Sequence, residues 1–145
     1  MERHHFKVKE YVARLEEVLI QTLAGYGISA GRKTAYPGVW VGEQKIGMVG
    51  IQIKQHVTMH GFSLNVQPCL QDFGYIIPCG IANCQITSMA ELLGGSAPTL
   101  TTLIPQLLRQ FALIFEMSLV EISSEAANPD QELARELRPN SSTGE

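Results

Sequence analysis

The stretch Val39-Trp40-Val41, Gly42-Glu43-Gln44, Lys45-Ile46-Gly47-Met48-Val49-Gly50-Ile51-Gln52-Ile53-Lys54 reads as two strands joined by a tight turn. Val49, Ile51 and Ile53 fall on one face at a period of two, the spacing of a half-buried strand. A further strand is expected from about Gly61 to Val66, where Phe62, Leu64 and Val66 alternate with Ser63 and Asn65. Upstream, across a loop at Ser29–Pro37, residues from about Lys7 to Ala24 predict a helix. Val8, Tyr11, Val12, Leu15, Val18, Leu19 and Leu23 recur every three or four positions, while Lys9, Glu10, Arg14, Glu16 and Glu17 fall elsewhere. Gly25 and Gly27 supply its stop. Downstream, Pro68, Gly74, Pro78 and Gly80 mark an irregular stretch. Ser88 and Glu91 have capping-box spacing and open a short helix through Leu93. A second long helix, about Leu100 to Met117, carries Leu103, Leu107, Phe111, Ile114 and Phe115 on one stripe, with Pro105 expected in its first turn. Leu119–Ile122 reads as a last short strand. The order implies an α+β fold, with helices packed on a mixed, mostly antiparallel sheet.

The chain has 145 residues, a net charge of −3, 45% hydrophobic residues and 17% charged ones. That composition belongs to a globular chain, and the length to a single domain. The charge is uneven. Residues 123–145 carry five acids and two bases and almost no large apolar groups, so they are expected to be a polar, disordered tail behind a folded portion at 1–122. No apolar run reaches the roughly 20 residues of a membrane helix. No basic excess exists to neutralise phosphates, so neither membrane nor nucleic acid is an expected partner. Met1–Phe6 has no apolar core of a secretory signal, and three cysteines fit a reducing compartment, so a cytoplasmic location is expected.

Cys79 stands between Pro78 and Gly80 in a segment without helical or strand period. A thiol on such a turn reads either as a buried loop cysteine or as an approachable nucleophile with a free backbone N–H beside it. Cys69 and Cys84 read as structural. The cysteine spacings, and His56 and His60 around Val57-Thr58-Met59, match no metal motif, so no metal is expected. Lys45 at a strand start reads as a solvated edge charge, except that glycines accompany it. Gly47 and Gly50 within a strand mark the close approach of a ligand or another backbone. His60 reads as a structural histidine, or as part of the small and polar run His60-Gly61-Phe62-Ser63.

Together these stretches resemble the octanoyltransferases that begin protein lipoylation. The resemblance rests on Gly38-Val39-Trp40-Val41, Lys45-Ile46-Gly47-Met48-Val49-Gly50-Ile51, Thr58-Met59-His60-Gly61-Phe62-Ser63-Leu64-Asn65-Val66, Ile77-Pro78-Cys79-Gly80-Ile81 and Thr87-Ser88-Met89, in that order. It extends to the helix around Leu15-Glu16-Glu17-Val18-Leu19-Ile20 and covers about Val8 to Ile122. It implies a biotin/lipoate protein ligase-like catalytic fold and a cysteine/lysine acyltransferase without cofactor or metal. Cys79 would carry the octanoyl thioester and Lys45 would serve as acid and base. Met48, Val49, Gly50, His60, Gly61, Phe62 and Ser63 would form the substrate site. The donor implied is octanoyl-acyl carrier protein. The acceptors implied are lipoyl domains of 2-oxoacid dehydrogenase and glycine cleavage proteins. A free thiol ionises near about 8.5 and a free lysine near about 10.4, so a lysine that accepts a proton near neutrality must be partly desolvated.

Family members also carry an N-terminal Arg-Gly-Gly stretch and a His-Gly-Pro-Gly-Gln motif, and neither occurs in this sequence. The resemblance is therefore to the C-terminal part of the family: a truncation, a decayed remnant, or one half of a split enzyme completed by an N-terminal half in trans. Two alternatives stand beside the transferase. One is a half that binds acyl carrier protein or lipoyl domain without turnover. The other is an ATP-dependent lipoate or biotin ligase relative.

Overall fold

A computed structural model of the chain describes residues 6–55, 57–81 and 84–120. The expected tail at 123–145 and the end of the strand expected at Leu119–Ile122 lie outside the described residues.

The helix α1 spans Val8–Ala24. It ends as its glycines require: Gly27 has φ +75°, and the Ile28 amide donates to the Leu23 carbonyl at 3.1 Å. A left-handed residue followed by that long-range bond closes off helix carbonyls, and glycine takes the conformation without a Cβ clash. Ile28 and Leu23 are both buried in the core this turn creates.

Four strands follow: β1 (Gly31–Lys33), β2 (Tyr36–Val41), β3 (Gln44–Lys54) and β4 (Val57–Leu64). They pair in chain order, each antiparallel to its neighbour. The mixed character expected of the sheet reduces, among the described residues, to one parallel bridge between Lys45 and Ile86. β1 lies in what the sequence presents as a loop. Gly31-Arg32-Lys33 has no apolar alternation, and its pairing is supported by Arg32, whose guanidinium bonds Glu16 and Glu17 of α1. β4 starts four residues earlier and ends two earlier than expected, because the β3 register extends to the hairpin tip at Lys54↔Val57.

Two 3₁₀ turns, Leu70–Tyr75 and Pro78–Gly80, occupy the irregular stretch. The helix α2 (Met89–Leu92) is capped by the Ser88 hydroxyl, which accepts from the Glu91 amide. The helix α3 spans Leu100–Phe115. Pro105 is its sixth residue rather than a first-turn residue. Thr101, whose carbonyl loses its partner four residues on, is exposed, so water can satisfy it. Leu119 and Val120 follow without strand pairing.

One face of the sheet is covered. Leu15, Val18, Leu19 and Leu23 of α1 are buried, with Val39, Ile46, Met89, Leu103 and Phe115 completing the core. Gly47 permits this packing, since a Cβ there would stand 2.9 Å from Leu19 Cδ1. Val49, Ile51 and Phe62 share that face, so by strand alternation Met48, Gly50, Gly61 and Ser63 project from the other one.

Candidate functional site

Lys45 is not the solvated edge charge its position suggests. It is 1% exposed. Its ammonium lies 5.3 Å from the centroid of the Trp40 ring, which Lys33 Nζ also approaches, at 4.5 Å. The Trp40 indole N–H donates to the Tyr36 carbonyl at 3.1 Å, which fixes the ring. Gly38 forms the wall on the lysine's flank. Its φ of +124° is open to glycine alone in practice, and a Cβ there would come within 2.6 Å of Lys45 Cε and 3.2 Å of Nζ.

The segment after Cys79 is stitched to this lysine. Cys79 sits in the middle of the 3₁₀ turn Pro78–Gly80, and Gly80 has φ +70°. The Ile81 amide closes the turn on the Pro78 carbonyl at 3.0 Å. Further on, the Lys45 amide donates to the Gln85 carbonyl at 2.8 Å, and the Thr87 amide donates to the Lys45 carbonyl at 3.0 Å. Asn65, at the exit of β4, adds a side-chain bond to the Thr87 carbonyl at 3.0 Å. Tyr75, 88% exposed, begins an exposed apolar run with Ile76 and Ile77 just before the turn.

Beside β3 and β4 runs a groove of about 470 Å³ lined by Met48, Val49, Gly50, His60, Gly61, Phe62 and Ser63. The seven residues singled out for the substrate site are therefore brought to one place. Its volume falls within the roughly 300–1,000 Å³ usual for small-molecule clefts. Gly50 and Gly61 are direct partners across the two strands, and neither has any atom within 4 Å of where a Cβ would lie. The pair leaves a side-chain-free floor. His60, exposed rather than tucked into the core, has φ +76° in the middle of a strand, a conformation that costs a non-glycine residue of order 1–3 kcal/mol.

The sequence points to Glu16 and Gly38 only as members of the resembling stretches and gives neither a role in the site. Glu16 falls beside the apolar stripe of α1, yet it is 7% exposed. Its carboxylate accepts from the Gly38 amide at 2.8 Å and from Arg32 Nε at 3.1 Å. Its position next to Leu15 and two before Val18 was the available signal. Glu17 beside it titrates below its ordinary range, chiefly because the Gln21 side chain donates to it, with Arg32 adding to the effect. Among the described residues, no three His, Cys, Asp or Glu side chains are grouped to hold a metal ion, and no helix is long and apolar enough to cross a membrane. Cys69, read as structural, is an exposed free thiol, while Cys84 is a partly buried one. His56 lies outside the described residues.

Known proteins resemble this chain in sequence and in fold. An octanoyltransferase of Solibacter usitatus is 44% identical over 120 residues, which cover 83% of this chain and 53% of the relative. One from Desulfovibrio desulfuricans is 40% identical over 109 residues, covering 75% and 46%. The chain thus spans about half the length of the curated relatives it matches. Among solved structures, lipoate-protein ligase A bound with ATP superposes with a TM-score of 0.64 at 16% identity, over 90% of this chain and 55% of that one. The biotin protein ligase of Aquifex aeolicus with biotin and ATP gives 0.62 at 16% identity, over 79% and 46%. These two likenesses establish the ligase-like fold. Residues 1–112 match the model of the lipoyl protein ligase A/B catalytic domain, and the chain belongs to that family.

Proposed function

We propose that the chain is the Cys/Lys-bearing portion of an octanoyltransferase, which moves an octanoyl group from acyl carrier protein to a lysine of a lipoyl domain. The observation that carries this reading is the enclosed Lys45, bonded through its backbone to the segment after Cys79 and standing at the head of the strand that floors the groove. The Cys79 thiolate attacks the carbonyl carbon of the donor thioester. The new S–C bond forms as the carrier's S–C bond breaks, and the leaving carrier thiolate takes a proton from the Lys45 ammonium. In the second half, the acceptor lysine's amine attacks the Cys79 thioester. An amide C–N bond forms, the Cys79 thiolate leaves, and Lys45 receives the amine's excess proton. The two halves balance without a nucleotide, since one thioester replaces another before a more stable amide is made.

The groove suits the acyl chain. A straight alkyl group gains roughly 0.8 kcal/mol per methylene buried, and the Gly50–Gly61 floor leaves it room. The test is transfer to a purified lipoyl domain, read by mass, with octanoyl-acyl carrier protein as donor. Octanoyl amide formed with the chain, alone or supplemented with the other half of a relative, and lost in Cys79→Ala, supports the proposal. Binding of the carrier or lipoyl domain with no transfer under either condition favours the non-catalytic reading and refutes the transferase.

A further inference from the structure

We infer that Glu16 is the positioning residue of this site, holding Lys45 in place through the Gly38 amide; the inference rests on the transferase reading for its catalytic meaning only. A carboxylate that is 7% exposed is expensive to keep unless it is fully bonded. One oxygen, Oε1, is spent on the Gly38 N–H at 2.8 Å. The other, Oε2, takes Arg32 Nε at 3.1 Å. Arg32 also reaches the Ala13 carbonyl at 2.8 Å and the Glu17 carboxylate, so the guanidinium is itself anchored on α1.

The consequence falls on Lys45. Gly38 has φ +124°, one of the many backbone states open to glycine, so a bond that holds it there selects that state from the rest. Glu16 supplies that hold from the rigid helix α1. With Gly38 fixed, its α-carbon forms a wall that leaves the Lys45 stem no room on that side, as the 2.6 Å separation of a virtual Cβ from Lys45 Cε shows. The Trp40 ring bounds another side. Glu16 touches neither the acyl chain nor the reacting atoms. It acts through Gly38 on where the ammonium stands.

The test labels lysine with ¹³C at Cε and follows the Lys45 methylene signal, assigned with Lys45→Arg. This signal reports position directly, because the Trp40 ring current falls steeply with displacement. In Glu16→Ala the Lys45 signal is expected to move toward that of an exposed lysine. In Glu16→Gln, whose side-chain oxygen still accepts from Gly38, it is expected to stay near the wild-type position. Arg32→Ala, which removes the ion pair and spares the Gly38 bond, should also leave it in place. If Glu16→Ala does not fold, Glu16→Asp, one methylene too short to reach Gly38, is read instead. In the transfer assay, Glu16→Ala should lower kcat about 10- to 100-fold, the scale of a misplacement near 1 Å, with KM for the carrier unchanged and Glu16→Gln within about threefold of wild type. A folded Glu16→Ala or Glu16→Asp with an unmoved Lys45 signal overturns the inference, as does a Glu16→Gln that behaves like Glu16→Ala. A wild-type chain that transfers nothing even with the other half of a relative supplied sinks the transferase reading, while the lysine signal still decides the role of Glu16.

Discussion

Gly38 and Lys45 are packed so closely that a single methyl group on the glycine would stand 2.6 Å from the lysine's Cε. No flexible chain end absorbs that contact, because the same methyl would also meet the Gly47 carbonyl oxygen at 2.6 Å. Gly38→Ala is therefore expected to destabilise the fold by about 1–3 kcal/mol, from strain at positive φ and overpacking together. Denaturant unfolding measures it. A loss below 0.5 kcal/mol, on the order of an ordinary surface change, would mean that the wall around Lys45 is soft.

Gly47 and Gly50, three residues apart on one strand, should separate stability from substrate fit. Gly47→Ala puts a carbon 2.9 Å from Leu19 Cδ1 and 3.3 Å from Val39 Cβ, so the packed side chains between α1 and the sheet must shift, at a cost of about 1–3 kcal/mol. Gly50→Val has open space around it and should change stability by less than about 1 kcal/mol. It should instead shorten the preferred acyl chain, since each methylene denied burial costs about 0.8 kcal/mol, roughly fourfold in affinity. Competition between octanoyl and hexanoyl donors reads the second effect.

His60 stores strain at φ +76° inside β4, where it lines the groove. Replacing it with glycine, for which that conformation is free, should raise stability by about 1 kcal/mol. His60→Val should lower it by a similar amount, since a β-branched chain tolerates positive φ least. Thermal melts of the two variants, moving in opposite directions, check the assignment.

Glu17 ties the helix to Arg32 as a carboxylate whose pKa is lowered from its ordinary 4.5. A depressed folded value means that its contribution is present above pH 4.5 and is lost as pH falls through the lower folded value. With its side chain 32% exposed, the contribution is only about 0.5 kcal/mol after solvent screening. Wild type should exceed Glu17→Gln in stability by that margin near neutrality. The gap should close in acid, which a pair of denaturation curves at high and low pH would show.

Most of the fold was legible in the sequence because its elements obey one period each. The β2–β3 hairpin and both long helices follow from where Val49, Ile51, Leu15, Leu19 and Phe115 recur. β1 was not legible, since Gly31-Arg32-Lys33 is a strand through ion pairing across to α1 rather than through its own pattern. Pro105 misled in the same way: its exposed surroundings let the helix run through a residue that ordinarily opens one. The groove residues were named as a group by resemblance, and the geometry gathers them along one groove. Lys45 showed the limit of periodicity, because a charge at a strand start looks solvated until the wall of Gly38 and Trp40 is built around it. Glu16 was hidden more deeply. Its burial depends on a backbone N–H some twenty residues away, which no local pattern announces.

The measurement that bears most directly on the central claim is intact-mass analysis of the chain mixed with octanoyl-acyl carrier protein, beside Cys79→Ala and Lys45→Ala. The expected result is one added octanoyl group on the wild-type chain, none on Cys79→Ala, and slower addition on Lys45→Ala. An octanoyl group that still appears on Cys79→Ala, or a wild-type chain that stays unmodified even with the other half of a relative supplied, would contradict it.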